Sequence, residues 1–146
     1  MEKNKKKYGL LVAVALCVCL LGGFLANLAQ TDFGKVTKKT ILFESNSGHT
    51  ISADVLIPNE AGEENPLPAI VWAHGGNANK ERSDNFQIEW ARRGYVVVSF
   101  DLYGHGESEV LNDTEWFDNG RGLYDTVQYV ATLPYVDADR IAVSGH

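Results

Sequence analysis

Between Tyr8 and Ala29 the chain carries no charged side chain, and the stretch is built largely from Leu, Val, Ala, Gly and Cys with a single Phe. About 20 apolar residues, rising about 1.5 Å each in a helix, match a hydrocarbon core about 30 Å thick. Such length without a charged residue is unusual in a soluble core, so the segment is expected to span a membrane. Lys3, Lys5, Lys6 and Lys7 precede it in a tighter cluster than Lys35, Lys38 and Lys39 beyond it. By the positive-inside rule the N-terminus then stays in the cytoplasm and the chain from Thr31 onward faces outward. The competing reading is a cleaved signal peptide, whose apolar region runs about 7 to 15 residues and ends in a small-x-small site. The exit from Phe24 to Gln30 contains no Ala-x-Ala, and a lipoprotein signal is disfavoured by Leu16 and Val18 standing before Cys17 and Cys19. The expected organisation is a basic cytoplasmic tail (1–7), a transmembrane signal-anchor (8–29), a linker (30–39) and a folded domain (40–146). That domain is held at the outer side of a cell membrane by a single pass, or secreted if the segment is cleaved.

A chain with 45% hydrophobic and 22% charged residues and a formal net charge of −6 has the balance of a folded acidic protein, not of a disordered one. Its basic residues are densest beside the apolar segment, and no Lys/Arg stripe suited to nucleic acid is present. Cys17 and Cys19 both fall inside the apolar segment, which leaves the rest of the chain no internal disulfide and no thiolate metal site. His49, His74, His105 and His146 show no metal-ligand spacing on one element. No metal or organic cofactor is expected.

From Val36 onward the pattern is of short elements between turn residues. Val36–Glu44 and Thr50–Ile57 read as strands, the second with Ile51, Ala53, Val55 and Ile57 on one face, joined by the turn composition Ser45-Asn46-Ser47-Gly48. Pro58 to Pro68 reads as an exposed connection. Ala69–Ala73 and Tyr95–Phe100 are continuous apolar runs, the mark of parallel strands buried on both faces. Lys80–Arg93 has helical spacing with Phe86, Ile88, Trp90 and Ala91 as its apolar stripe and Gly94 as C-cap. Gly120–Leu133 reads as a second helix stopped by Pro134, and Arg140–Ser144 as a last strand. Strand, helix, strand, helix, strand after an opening hairpin implies a parallel sheet with helices on its faces. That order puts the loops Gly75–Asn79 and Asp101–Ser108 at the carboxyl ends of neighbouring strands, where open α/β sheets bind ligands.

Three patterns stand at these strand ends: His74-Gly75-Gly76-Asn77, then Asp101-Leu102-Tyr103-Gly104-His105-Gly106-Glu107-Ser108, and finally Asp137 to His146 closing on Ser144-Gly145-His146. A dinucleotide site built on Gly104-x-Gly106 is disfavoured. Glu109 occupies the third glycine place, where it would repel a pyrophosphate, and Asn112 and Asp113 break the helix that should follow. Taken together and in this order, the three patterns resemble the α/β-hydrolase family, here an esterase or serine aminopeptidase-like member, from Thr40 to His146. The resemblance implies a partial α/β-hydrolase fold, α/β in class, preceded by one transmembrane helix. It implies that Gly76, or its neighbour Asn77, offers a backbone N–H to the oxyanion of an acyl-transfer intermediate. A plain Gly-Gly turn with His74 pinning the loop remains the alternative. His74 and Gly75 in the first pattern, and Asp101, Gly104, Gly106 and Ser108 in the second, would shape their loops.

Gly145 and His146 match the opening of the nucleophile elbow G-x-S-x-G, so the nucleophilic Ser is expected immediately after His146. Ser144 does not fit that place, because Ala142 and His146 stand where the elbow needs glycine. The family order puts the acid and the base after the Ser, so no member of the triad lies within the chain. The implied function is that of a membrane-anchored serine hydrolase acting on ester or peptide bonds of a small-molecule or peptide acyl substrate. The chain given would be its incomplete front half, inactive alone and prone to aggregate through Tyr95–Phe100 at a sheet edge. The alternatives are a non-catalytic membrane-tethered binding module and an acyltransferase on the same fold.

Overall fold

The computed structural model describes residues 2–111 and 120–146. The chain divides into two compact units, Met1–Gly34 and Lys35–His146. The first is a single helix, α1 (Glu2–Gln30), whose part from Lys6 to Gln30 is long and apolar enough to cross a membrane. A signal sequence near the N-terminus has the same property. Residues 36–39, within the stretch expected as linker, belong to the first strand of the second unit.

That unit is built on five strands, β1 (Val36–Glu44), β2 (Thr50–Pro58), β3 (Leu67–Ala73), β4 (Val96–Phe100) and β5 (Val136–Gly145), in the order β1-β2-β4-β3-β5. The sheet is mixed: β1 with β2 and β2 with β4 are antiparallel, whereas β4 with β3 and β3 with β5 are parallel. The expected opening hairpin and the parallel strands after it are both present. The expected edge position of Tyr95–Phe100 is corrected. β4 is flanked by β2 and β3, and all five of its residues are buried. A run as apolar as Val96-Val97-Val98 finds neighbours on both sides and on both faces, so it is the outer strand β5 that is largely exposed.

Successive β4 residues point to opposite faces and so divide the core in two. On one face Val96, Val98 and Phe100 join Ile51, Val55 and Val71 beneath α3 (Leu123–Val130), which contributes Leu123, Val127 and Val130. On the other, Val97 packs with Val36 and Leu56 against Ile88, Trp90 and Ala91 at and near α2 (Asp84–Ala91).

Local chemistry moves several element ends. The expected helix from Lys80 opens as a 3-10 turn, Lys80–Ser83, continues as α2 to Ala91 and closes through a turn on Gly94, whose φ of 83° is the left-handed conformation a C-terminal glycine supplies. Its stripe is rotated. Phe86 is 57% exposed while Gln87 is fully buried, because the Gln87 amide donates to the Lys80 carbonyl at 3.0 Å. β5 begins at Val136, not at Arg140, yet its ladder jumps from Leu67↔Val136 to Ala69↔Ile141, so the intervening residues bulge. Within that bulge Asp137 accepts from the Asp139 N–H at 3.1 Å and from Arg140, a turn chemistry that disguised the strand's beginning.

The two-faced core gives a direct test. Phe100→Ala, at a side chain with no exposed surface, is expected to lower unfolding free energy by about 3–5 kcal/mol in urea titration of the complete protein. Leu42→Ala, at a side chain 66% exposed, is expected to cost less than about 1 kcal/mol in the same measurement. Equal losses at the two sites would contradict this division of the core.

Candidate active site

Because β3, β4 and β5 run parallel, with Ala73 level with Phe100 and Gly145, their carboxyl ends deliver the three sequence patterns to one edge. There they surround a cleft of about 520 Å³ lined by His74, Gly75, Gly76, Leu102, Arg121 and His146 among others. Ser144 also reaches its wall.

The contacts at this edge are close enough to require missing side chains. A Cβ on Gly145 would lie 2.7 Å from the Ala73 carbonyl oxygen, and one on Gly75 would lie 2.9 Å from the His146 carbonyl oxygen. The His146 N–H donates to the Ala73 oxygen at 3.2 Å. The turn after β3 and the end of β5 are therefore in backbone contact. Gly76 is different: nothing lies within 4 Å of a Cβ there and its φ is not positive, so neither space nor conformation demands glycine. Its exposed backbone stands at the cleft. Asn77, the other nominated donor, is exposed and held at φ 60°.

His74 is buried and both of its ring nitrogens are engaged. Nε2 accepts from the Leu102 N–H at 3.1 Å, which leaves the proton on Nδ1 to donate to the Gly75 carbonyl at 2.8 Å. Burial pushes its pKa below the ordinary imidazole value, the bond to Gly75 opposing this in part. The ring is a neutral brace between the two loops and has no free nitrogen to serve as a base.

The loop after β4 is organised by Asp101, which has no exposed surface. Its Oδ1 accepts from the Lys80 N–H at 2.8 Å, and its Oδ2 from the Lys80 ammonium at 2.8 Å and the Glu107 N–H at 3.1 Å. The Lys80 ammonium, on a side chain 8% exposed, also donates to Glu107 at 2.9 Å. Ser108 donates to the Asp101 carbonyl at 2.7 Å and accepts from the Ser52 N–H at 2.9 Å. Gly106 is obligatory: at φ 50°, its Cβ would meet the Asp101 carboxylate at 2.2 Å. Gly104 turns the loop at φ 76°, and its N–H donates to the Glu109 carbonyl at 2.8 Å. Asp101, Gly104, Gly106 and Ser108 thus each have a mechanical part in the loop. Asn112 and Asp113, read as helix breakers, lie outside the described residues.

Sequence reading missed the groups that hold this loop from afar. Lys80 stands alone in the sequence; the signal for it was Asp101 itself, a charge directly after a fully apolar strand. Also missed was the cluster under the loop. There the Tyr103 hydroxyl donates to Asp125 at 2.8 Å and lies 3.1 Å from the Ser45 hydroxyl, and Ser47 donates to the same carboxylate at 2.7 Å. Burial, before any of these bonds, raises the Tyr103 pKa. Arg121, at the cleft wall, is a third omission. It sits at φ 60°, ψ 32° between left-handed Gly120 and Gly122, a conformation costing about 1–2 kcal/mol for a residue with a Cβ. Its carbonyl accepts from the Tyr103 N–H at 3.0 Å, which fastens that turn to the Asp101 loop.

Residues 47–146 match the family described as X-Pro dipeptidyl-peptidase (S15 family). The chain belongs to that family, within the α/β-hydrolase superfamily. Over 114 residues it is 32% identical to the uncharacterized protein PA2218 of Pseudomonas aeruginosa, covering 76% of this chain and 30% of that one. The uncharacterized protein YcjY of Escherichia coli (strain K12) is 27% identical over 110 residues, covering 72% and 36% respectively. The chain therefore spans 30% and 36% of the length of these two relatives. The crystal structure of PA2218 superposes with a TM-score of 0.64 at 31% identity, over 75% of this chain and 35% of that one. The structure of acetyl xylan esterase 1 from Thermoanaerobacterium sp. JW/SL YS485 superposes with a TM-score of 0.58 at 23% identity, over 76% and 40%. That second likeness is one of fold.

Two outcomes follow for the loop of this family member. Gly106→Ala is expected to cost at least the 1–2 kcal/mol of a left-handed alanine, about that or more once the Asp101 contact is added. Gly62→Ala, with open space and no positive φ, is expected to be near neutral by thermal unfolding. The second outcome concerns pH. Hydrogen bonds from Lys80 and then Ser52 hold the Glu107 carboxyl below its ordinary 4.5. Its contribution to stability is therefore present above 4.5 and is lost as pH falls through the lowered folded value. Burial alone would lower the Lys80 pKa, but the bonds to Asp101 and Glu107 outweigh it and raise it above 10.5, so its contribution is lost only as pH rises beyond that. Glu107→Gln is expected to flatten the decline of Tm below pH 4.5 and, by removing one of the two partners that raise the Lys80 pKa, to move the alkaline loss toward lower pH. High salt should shrink the effect, since Glu107 is exposed.

Proposed function

We propose that the complete protein is a serine hydrolase that transfers the acyl group of an ester or peptide substrate to water, held at a membrane by the segment Lys6–Gln30. The observation that carries this reading is the backbone contact between the His74–Gly76 turn and Gly145–His146 at the mouth of the cleft. It supports this reading because the exposed Gly76 follows the glycine that meets His146, and the reading puts the nucleophile on the residue after His146. In such a mechanism the Ser attacks the carbonyl, a His acts as its base, an acid orients the His, and backbone donors receive the oxyanion. Gly76 is the donor this reading favours, with Asn77 as its neighbour. His74, with both nitrogens engaged, leaves the base to another His.

Membership of a peptidase family and likeness in fold to an esterase support the reaction class. The lysines in the first turns of α1 support a cytoplasmic N-terminus and an outward-facing hydrolase unit. On this reading the chain from Lys35 to His146 contributes the oxyanion side of the site.

A fluorophosphonate probe is expected to label the complete protein, and the label is expected to vanish when the residue after His146 is replaced by Ala. Gly76→Pro, which deletes the N–H, is expected to lower kcat about 100- to 1000-fold with little change in KM. The protein is expected in the membrane fraction, released by detergent and not by high salt. A well-folded complete protein that takes no label would sink the reading.

A further inference from the structure

The hydrogen bonds around the cleft share a direction. The Ser52 N–H, in β2, donates to the Ser108 hydroxyl at 2.9 Å. The Ser108 hydroxyl donates in turn to the Asp101 carbonyl at 2.7 Å. That carbonyl and the Leu102 N–H belong to one planar peptide, and the Leu102 N–H donates to His74 Nε2 at 3.1 Å. The imidazole passes the polarity across its ring, since Nδ1 donates to the Gly75 carbonyl at 2.8 Å. The Gly75 carbonyl and the Gly76 N–H again share one planar trans peptide, so the N–H points away from His74. No link in the series is reversed.

We propose that this one-way relay from β2 through Ser108 and His74 orients and polarises the Gly76 N–H, and that Ser108 and His74 are positioning residues for the oxyanion donor. Hydrogen bonds arranged head to tail strengthen one another in a low-dielectric interior, and the members of this relay are buried as far as His74. Ser108 thus acts on a site it does not touch. Its carbonyl partner is held still because the Asp101 carboxylate is fixed by Lys80 and Glu107. The imidazole transmits only in the tautomer with the proton on Nδ1, and the Leu102 N–H enforces that tautomer. The inference rests on the proposed oxyanion role of Gly76.

The test uses the complete protein with Ser108→Ala, and with Ser108→Thr, which keeps the hydroxyl. Ser108→Ala is expected to lower kcat about tenfold with KM little changed, less than the roughly 100-fold or greater effect of losing a whole donor. It is expected to weaken a trifluoromethyl ketone, which becomes an oxyanion, by the same factor, while a reduced alcohol analogue binds as before. Ser108→Thr is expected to restore kcat and ketone affinity. Should Ser108→Ala fail to fold, Ser108→Cys, with its weaker donor, carries the same comparison. Nitrogen-15 shifts of the His74 ring and the proton shift of the Gly76 amide read the relay without any catalysis, so absent hydrolysis would sink the proposed function and still leave the relay to be judged. An Nε2–H tautomer of His74, or a Gly76 amide unmoved by Ser108→Ala, would overturn the relay. Equal weakening of the ketone and the alcohol analogue would overturn it too.

Discussion

Asp101 is a carboxylate with no exposed surface at the end of a fully buried strand, and the cleft depends on how its charge is met. An unpaired charge in such a place costs several kcal/mol, and removing one partner of a buried pair typically costs about 3–5 kcal/mol. The ammonium of Lys80 meets it from a residue twenty-one positions upstream, and the backbone N–H groups of Lys80 and Glu107 add two further hydrogen bonds. That arrangement has a mechanical result. The loop after β3 ends at Lys80 and the loop after β4 begins at Asp101, so neutralising the carboxylate ties the far end of one loop to the near end of the other. His74 makes the second tie at the opposite end. A five-residue turn, Gly75–Asn79, is thereby clamped at both its ends to a strand in the centre of the sheet.

The same edge depends on side chains that are missing. Gly145 against Ala73, Gly75 against His146 and Gly106 against Asp101 are contacts in which a single methyl group would have to displace backbone or a charged group. Glycine loses more freedom on folding than any other residue, so a cluster of obligatory glycines at strand ends is an entropic burden that the valine-rich core beneath has to offset. Such a layout makes sense where a ligand must approach main-chain N–H groups closely. Gly76 is required by neither space nor conformation, and on the proposed reading it is where a ligand would approach the bare backbone.

What was legible in the sequence was what is local. The apolar runs of β3 and β4, the turn glycines, and the offsets within Asp101–Ser108 all report interactions within a few residues, and periodicity or spacing records them. The hairpin of β1 and β2 was visible for the same reason. Lys80 with Asp101, Ser52 with Ser108, and Ser47 with Asp125 join residues 21 to 78 positions apart and leave no spacing signature. The exposed Phe86 shows a different failure. The apolar stripe predicted it inward, yet Gln87 took the interior place, where its amide and the Ser99 hydroxyl both donate to the buried Lys80 carbonyl. The early start of β5 was hidden because its first residues carry the polar signature of a turn, which an outer strand with an exposed face tolerates.

These features bear on how a site of this kind performs electrostatic work. Stabilising a developing oxyanion is effective when donors are already aimed before the substrate arrives, since reorienting them during reaction would cost much of what they return. Tautomer, peptide planes and loop ends are all fixed here by groups within Lys35–His146, and none of them depends on an attacking residue. On the proposed reading, the early strands assemble the part of the site that would receive negative charge. Because a Cβ on Gly75 would lie only 2.9 Å from the His146 carbonyl oxygen, a shift at the end of β5 is felt directly in the turn that carries Gly76.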